Sequence, residues 1–312
     1  MPRGGVGCCV GIDKAFPALY SDCYAAYRKG PPKNQFRGLM SQIHARRSAI
    51  VYQSLDHAGH AALIANSSRD SNLYLSAPPV DEDMLLSNHV VHAAVRLHLG
   101  LPSRDHLPPM CHLHKPPVPL SYHHHLTCDH FKPRDSTQRH DDVLQQLSAA
   151  VKEAGGTTHI QPRYMMADGS GRSDLKSHSL RPDARFDTPR GDRLCDVSII
   201  CPDAATYVGA GQKVGGAALR RECAKQKKYA AIVAREGVPM VAFVIEAHGC
   251  WGKEAKDYLA FLGGLAEATY HGPSAAEFIR RHRFLISLAV VRGNARLATS
   301  CGGLLQRRAL LQ

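Results

Sequence analysis

The chain has 312 residues, 44% of them apolar, and a formal net charge of +12 at pH 7. That length allows one good-sized domain with smaller appendages, or two domains, and the apolar share is enough for a core. The basic excess favours a polyanionic partner, nucleic acid or an anionic membrane surface. Membrane insertion is not expected, because the most apolar late run, Phe284 to Val291, is too short to span and is flanked by arginines. The first residues lack the apolar stretch of a secretory signal, so an intracellular protein is expected.

In chain order, residues 1–35 are rich in Gly, Pro and Lys and read as a loosely ordered tail. Helical signals run from about 36 to 65. A further helix is expected in LLSNHVVHAAVRLHLG, with Val91, Val95 and Leu99 sharing a face and Gly100 ending it. Residues 101–135 change to Pro, His and Lys, a composition no ordinary core uses. Asp135 through Gln138 spells a capping box ahead of a helix on which Val143, Leu147 and Val151 align, ended by Gly155-Gly156. HIQPRYMM reads as a strand and ADGSGRSDLKSHSL as a loop. ARFDTPRGDRLCDVSII reads as a hairpin turning at Pro189 to Asp192. A helix over 217–236, ended by Gly237, leads into PMVAFVIEA, whose unbroken apolar character suits a central buried strand. Helices over 253–268 and 274–298 close the pattern. This alternation implies a mixed sheet with helices on both faces, an α/β fold. No internal repeat is visible.

Of ten cysteines, Cys195, Cys201, Cys223 and Cys250 fall inside apolar or helical patterns, where a small buried hydrophobe is expected. Cys8 and Cys9 sit in a glycine-rich stretch and suggest nothing specific. Cys111 and Cys128 have ligand-type company: Cys111-x2-His114 and His124-x3-Cys128 are two short-spaced pairs flanking a Pro-rich loop. Thiolate and imidazole pairs of this kind close tetrahedrally on Zn²⁺, and the segment has almost no apolar residues to fold it otherwise. The run His123-His124-His125 leaves the choice of histidine open, with His124 preferred.

Three features downstream suit phosphodiester hydrolysis. Arg181-Pro182-Asp183 opens the hairpin, and Asp196 interrupts its otherwise largely apolar second strand. The following helix carries Arg221, Lys225 and Lys228 as one cationic stripe, with Tyr229 beside Lys225. Two carboxylates on adjacent strands can hold one hard ion such as Mg²⁺ or Mn²⁺, and a nearby lysine can stabilise developing negative charge.

The span from about residue 70 to 293 resembles the region that follows the reverse transcriptase in non-LTR retrotransposons with a restriction-like endonuclease. The resemblance rests on these motifs. Residues 71–102 are similar to the family's linker, and Cys111, His124 and Cys128 match its Cys-Cys-His-Cys zinc knuckle, with His114 in place of the second cysteine. Arg139-His140-Asp141 resembles the Arg-His-Asn opening of the nuclease. Arg181-Pro182-Asp183, Asp196-Val197 and Lys225-x2-Lys228-Tyr229 match its Lys/Arg-Pro-Asp, Asp-Val and Lys-x2-Lys-Tyr motifs, and HGCWGKEAKDYL resembles its Gly-rich turn.

The resemblance implies a PD-(D/E)xK restriction-endonuclease-like fold. Ser198 stands where such nucleases usually carry a strand lysine, and in this branch the lysine comes from the following helix. It also implies structural Zn²⁺ at Cys111, His114, His124 and Cys128, and catalytic Mg²⁺ or Mn²⁺ at Asp183 and Asp196. Lys225, Lys228 and Tyr229 complete the implied catalytic set, and Arg139, His140, Arg181 and Arg221 contact nucleic acid. The expected organisation is a tail (1–35), helical linker (36–100), knuckle (101–134), nuclease (135–300) and tail (301–312). The expected activity is nicking of target DNA in the nucleus, with RNA a second partner and reverse transcription supplied elsewhere. No aspartate pair of the reverse-transcriptase type occurs in the chain, so a fragment of an element is expected, and a binding-only remnant is the alternative.

Overall fold

The computed structural model describes residues 49–50, 53–71, 73–76, 82–101, 110–111, 113–128, 130, 132–161, 181–269 and 271–309. The chain divides into two compact units, Met1–Asp56 and His57–Gln312. The expected tail at 1–35, the helical signals before residue 49, the strand beyond 161 and the loop at 167–180 lie outside the described residues.

The second unit is a mixed α/β structure. It begins with the helices α1 (His57–Asn66), α2 (Leu73–Ser76) and α3 (Asn88–His98). A small hairpin, β1 (Met110–Cys111) with β2 (Val118–Pro119), and a one-turn helix α4 (His124–Thr127) follow. Then come α5 (Lys132–Glu153), β3 (Thr157–Ile160), β4 (Ala184–Asp187), β5 (Arg193–Ile200), α6 (Gly216–Glu236), β6 (Met240–Glu246), α7 (Lys253–Glu267) and α8 (Ala275–Ala309). The four main strands lie in the order β3-β4-β5-β6. The β3–β4 and β4–β5 pairs are antiparallel, and β5–β6 is parallel.

Alternation along β5 and β6 divides their side chains between two helical layers. Cys195 and Val197, with Val241, Phe243 and Ile245, join α5, α7 and α8 in the main core around Leu147, Leu259 and Phe278. On the opposite face Leu194 and Met240 meet Tyr229 and Ile232 of α6, while Ile200, Ala242 and Val244 meet Ala217 and Ala218. Asp196 falls on the α6 side by the same alternation. Because both faces of β6 are covered, all seven of its residues are buried and the sequence shows no polar alternation.

Several expectations need correction. The apolar run of β6 suggested a central strand, yet β6 is last in the sheet order. Its outer edge is protected locally: the Ala242 N–H donates to Glu254 Oε2 at 2.8 Å, and Gly252 N–H donates to Val244 O at 2.9 Å. On α3 the buried residues are Val90, Ala94 and Leu97, whereas Val91, Val95 and Leu99 are exposed. The helix has two apolar stripes, and the one packed against α8 lies one position away from the one expected. Helix α5 starts at Lys132, because Pro133 is tolerated in a first turn, so Asp135 is helical and Gln138 donates to Asp142 Oδ1 instead of capping. Cys223 is exposed on α6, unlike Cys195, Cys201 and Cys250. Finally, α8 runs to Ala309, through residues expected to form a tail, because Cys301 and Leu305 are buried against Cys111 and Cys128.

Other boundaries agree closely. The hairpin turns with Gly191 N–H donating to Thr188 O at 3.0 Å. Helix α6 ends at Gly237, where a φ of 66° suits glycine and its N–H reaches Val233 O. Among the described residues no helix is long and apolar enough to cross a membrane.

Candidate metal centre and catalytic cleft

The β1–β2 hairpin and α4 bring Cys111, His114, His124 and Cys128 together, with their ligand atoms all within 4.8 Å of one another. Cys111 and Cys128 are almost fully buried, as is His124. His114 Nε2 lies 3.2 Å from Cys128 Sγ. Burial, with His114, His123 and His130 nearby, lowers the His124 pKa to about 4, so its ring is a neutral ligand at neutral pH. Two sulfurs and two imidazoles fit a divalent metal, and the group can hold one. The three consecutive histidines separate: His124 joins this group, His123 Nδ1 lies 3.1 Å from Asp203 Oδ2, and His125 is placed where burial, and then Arg139, lower its pKa to about 3.

A second group, Cys201, Asp203 and His248, also has ligand atoms within 4.8 Å and is wholly buried. Sequence reading missed it. Cys201 looked like a core residue, and His248 is 45 positions from Asp203, so no motif joins them. The usable signal was that Cys201 and His248 each follow the end of a buried strand, and parallel neighbours end together. Burial would raise the Asp203 pKa, but His248 and His123 beside it hold the carboxyl well below its usual range.

On the α6 face of the sheet an open cleft is lined by Asp183, Asp196 and Ser198, by Arg221, Lys225, Lys228 and Tyr229 of α6, by His140 and Arg139 of α5, and by Arg181. The structure thus gathers into one cleft residues that span ninety positions of sequence. Asp196, 3% exposed, pairs through Oδ1 with the Lys225 ammonium, and Tyr229 OH donates to its Oδ2 at 2.5 Å. The same hydroxyl lies 3.0 Å from Arg181 O, and Lys228 Nζ donates to it at 3.1 Å. Burial lowers the Lys225 pKa and Asp196 opposes that shift. Burial, together with Asp196, pushes the Tyr229 hydroxyl up, so it stays a donor.

Asp183 precedes β4, yet its Oδ2 accepts the Val197 N–H at 2.7 Å, which fixes it against β5. His140 Nε2 lies 2.9 Å from the same oxygen. Burial alone would lower the His140 pKa, but hydrogen bonds to Asp183 and Asp141 raise it to about 9. The ring is therefore a cation at neutral pH. Arg221 Nε lies 3.3 Å from Ser198 Oγ, and Arg181 donates to Gln161 O.

Arg139 does more than line the cleft. It is 6% exposed and donates through Nη1 to Asn294 Oδ1 at 2.6 Å, so at the wall of the cleft it also ties α5 to α8. Burial lowers its pKa to about 10. No protein-family model matches the chain and no curated protein matches it, so the reading of its chemistry rests on the geometry just described.

Proposed function

We propose that the chain is a divalent-metal-dependent DNA endonuclease domain of the PD-(D/E)xK restriction-like class, derived from a non-LTR retrotransposon. The observation that carries this reading is the convergence of Asp183, Asp196, Lys225 and Tyr229 in one open cleft from three separate segments, the approach to β4, strand β5 and helix α6. A chance surface cluster has no reason to place two carboxylates, a buried lysine and five further cationic side chains around one concavity.

In this reading Asp183 and Asp196 hold Mg²⁺ or Mn²⁺, which supplies the Lewis acidity that polarises a phosphoryl oxygen when bound. Val197 N–H and His140 keep the Asp183 carboxylate in place. Tyr229 does the same for Asp196. Lys225 brings a positive charge from the helix to the position where Ser198 leaves the strand without one, and it stabilises charge developing on phosphate. Arg221, Lys228 and Arg181 line the approach and grip the backbone of DNA, or of RNA. Cys111, His114, His124 and Cys128 hold a structural Zn²⁺, which folds the knuckle beside the nuclease. Nuclear residence and a reverse transcriptase supplied elsewhere belong to the same proposal.

One observation favours a second reading, a nucleic-acid-binding remnant without catalysis. Both carboxylates already face cations of the protein, Asp196 with Lys225 and Asp183 with His140, so each is paired from the cleft's own side chains. The test is substitution in the full chain. Asp183→Asn and Asp196→Asn should each abolish metal-dependent nicking of plasmid while DNA binding persists or tightens. Retention of wild-type nicking by either variant would refute the catalytic assignment.

A further inference from the structure

Beyond the knuckle and the cleft, one buried cluster has no role in either. Cys201 follows β5, Asp203 lies two residues on, and His248 follows β6; parallel pairing of the two strands brings these ends together, with Ala247 N–H donating to Ile200 O. The Asp203 and His248 side chains are wholly buried. Cys201 Sγ lies 2.5 Å from Asp203 Oδ1, and His248 Nε2 lies 3.3 Å from Asp203 Oδ2. From the other side, the segment before α4 contributes His123, whose Nδ1 is 3.1 Å from Asp203 Oδ2, and Tyr122, whose hydroxyl donates to that oxygen at 2.7 Å.

We propose that Cys201, Asp203 and His248 form a second transition-metal site, of the class that takes Zn²⁺, with His123 completing it. A thiolate, a carboxylate and two imidazoles are a donor set suited to tetrahedral zinc. Metal–nitrogen and metal–oxygen bonds of about 2.0–2.1 Å separate neighbouring ligand atoms by roughly 3.3 Å in a tetrahedron, close to the spacings of both histidines from Asp203. His248 Nε2 and His123 Nδ1 are the ring nitrogens that face Asp203, and they are the atoms that would bind the ion. Binding releases the Cys201 thiol proton to solvent and forms a metal–sulfur bond, with no change of oxidation state.

The site joins the two parts of the unit. Cys201, Asp203 and His248 belong to the ends of the sheet strands, and His123 sits beside His124 of the knuckle group. Adjacent histidines at the start of α4 would then serve two ions, the first fastening the knuckle to the sheet and the second folding it. The ion is structural in this placement, since its surroundings are closed.

Metal content of the purified full chain, loaded with Zn²⁺ and cleared of excess, tests the proposal. Wild type should hold two ions per chain. Cys201→Ala and His248→Ala should each hold one, and the double variant Cys111→Ser/Cys128→Ser should also hold one. A single ion in wild type that survives Cys201→Ala but not the double variant would overturn the second site and leave the knuckle standing. A single ion with the opposite pattern would support the second site and overturn the knuckle. If a variant fails to fold, cobalt titration of wild type decides the matter. Two thiolates at the knuckle and one at the second site predict that one equivalent of Co²⁺ adds about half the near-ultraviolet thiolate absorption of the other. Saturation after a single equivalent would contradict it.

Discussion

Asp196 divides its two oxygens between Lys225 and Tyr229, and Lys228 reaches that same tyrosine, so the two lysines of one helix face make different contacts, and the proposed function gives them different tasks. Lys225→Ala should lower the nicking rate roughly 100-fold, the scale set by deletion of a preorganised electrostatic group. Lys228→Ala should keep most of the single-turnover rate and weaken DNA affinity instead. Equal rate losses in both variants would show that the lysines act as one cationic patch. The individual candidates were largely legible in the sequence, because Asp196 breaks an apolar strand and the α6 stripe has helical spacing. His140 as a clamp on Asp183 was less so: the 43 positions between them hide a contact that only the packing of α5 creates. The Arg139 contact with Asn294 was hidden for a related reason, since a surface arginine and one buried against another helix look the same in one dimension. Cys201, Asp203 and His248 were invisible as a group, being united only by strand pairing.

At the scale of elements, α8 is the part that ties the unit together. It packs along α5, where Gly293 meets Arg139: a Cβ built on Gly293 would lie 2.2 Å from Arg139 Cγ. Gly293→Ala should therefore destabilise the unit by about 1–3 kcal/mol, the usual cost of overpacking, read as a lower denaturation midpoint at unchanged slope. At its other end α8 supplies Leu305, 3% exposed, to the cluster holding Cys111 and Cys128. Leu305→Ala removes that cover, and transfer of metal from the knuckle to a chelator should become faster than in wild type; an unchanged rate would mean that the knuckle holds its shape without α8. Strong periodicity made α6, α7 and β5 easy to place. The end of α8 was lost because residues 299–304, TSCGGL, look like a helix stop, and it is tertiary burial of Cys301 and Leu305 that carries the helix through. The edge position of β6 was likewise hidden, because burial by helices on both faces gives an edge strand the same composition as a central one.

For the whole molecule, the proposed DNA binding would rest on phosphate contacts, given the charge of +12 and the cations around the cleft. Affinity should fall steeply as salt rises, and Arg221→Ala should reduce the slope of log affinity against log salt by about one, with similar losses on all sequences. A salt-insensitive affinity would remove the cleft from DNA binding altogether. The sequence carried the alternation that yields a mixed sheet between helical layers, and the structure has it. The strand order and the distribution of the histidine run over separate environments depended on long-range pairing that no local pattern encodes.

The central claim is that the cleft around Asp183 and Asp196 cuts DNA. Incubating the full chain with supercoiled plasmid, with Mg²⁺ or Mn²⁺ and in parallel with EDTA, tests it most directly. Conversion to the nicked circle with either metal, and none in EDTA, is the predicted result. Plasmid that is bound but left supercoiled in every metal condition would contradict the enzyme and leave a nucleic-acid-binding protein in its place.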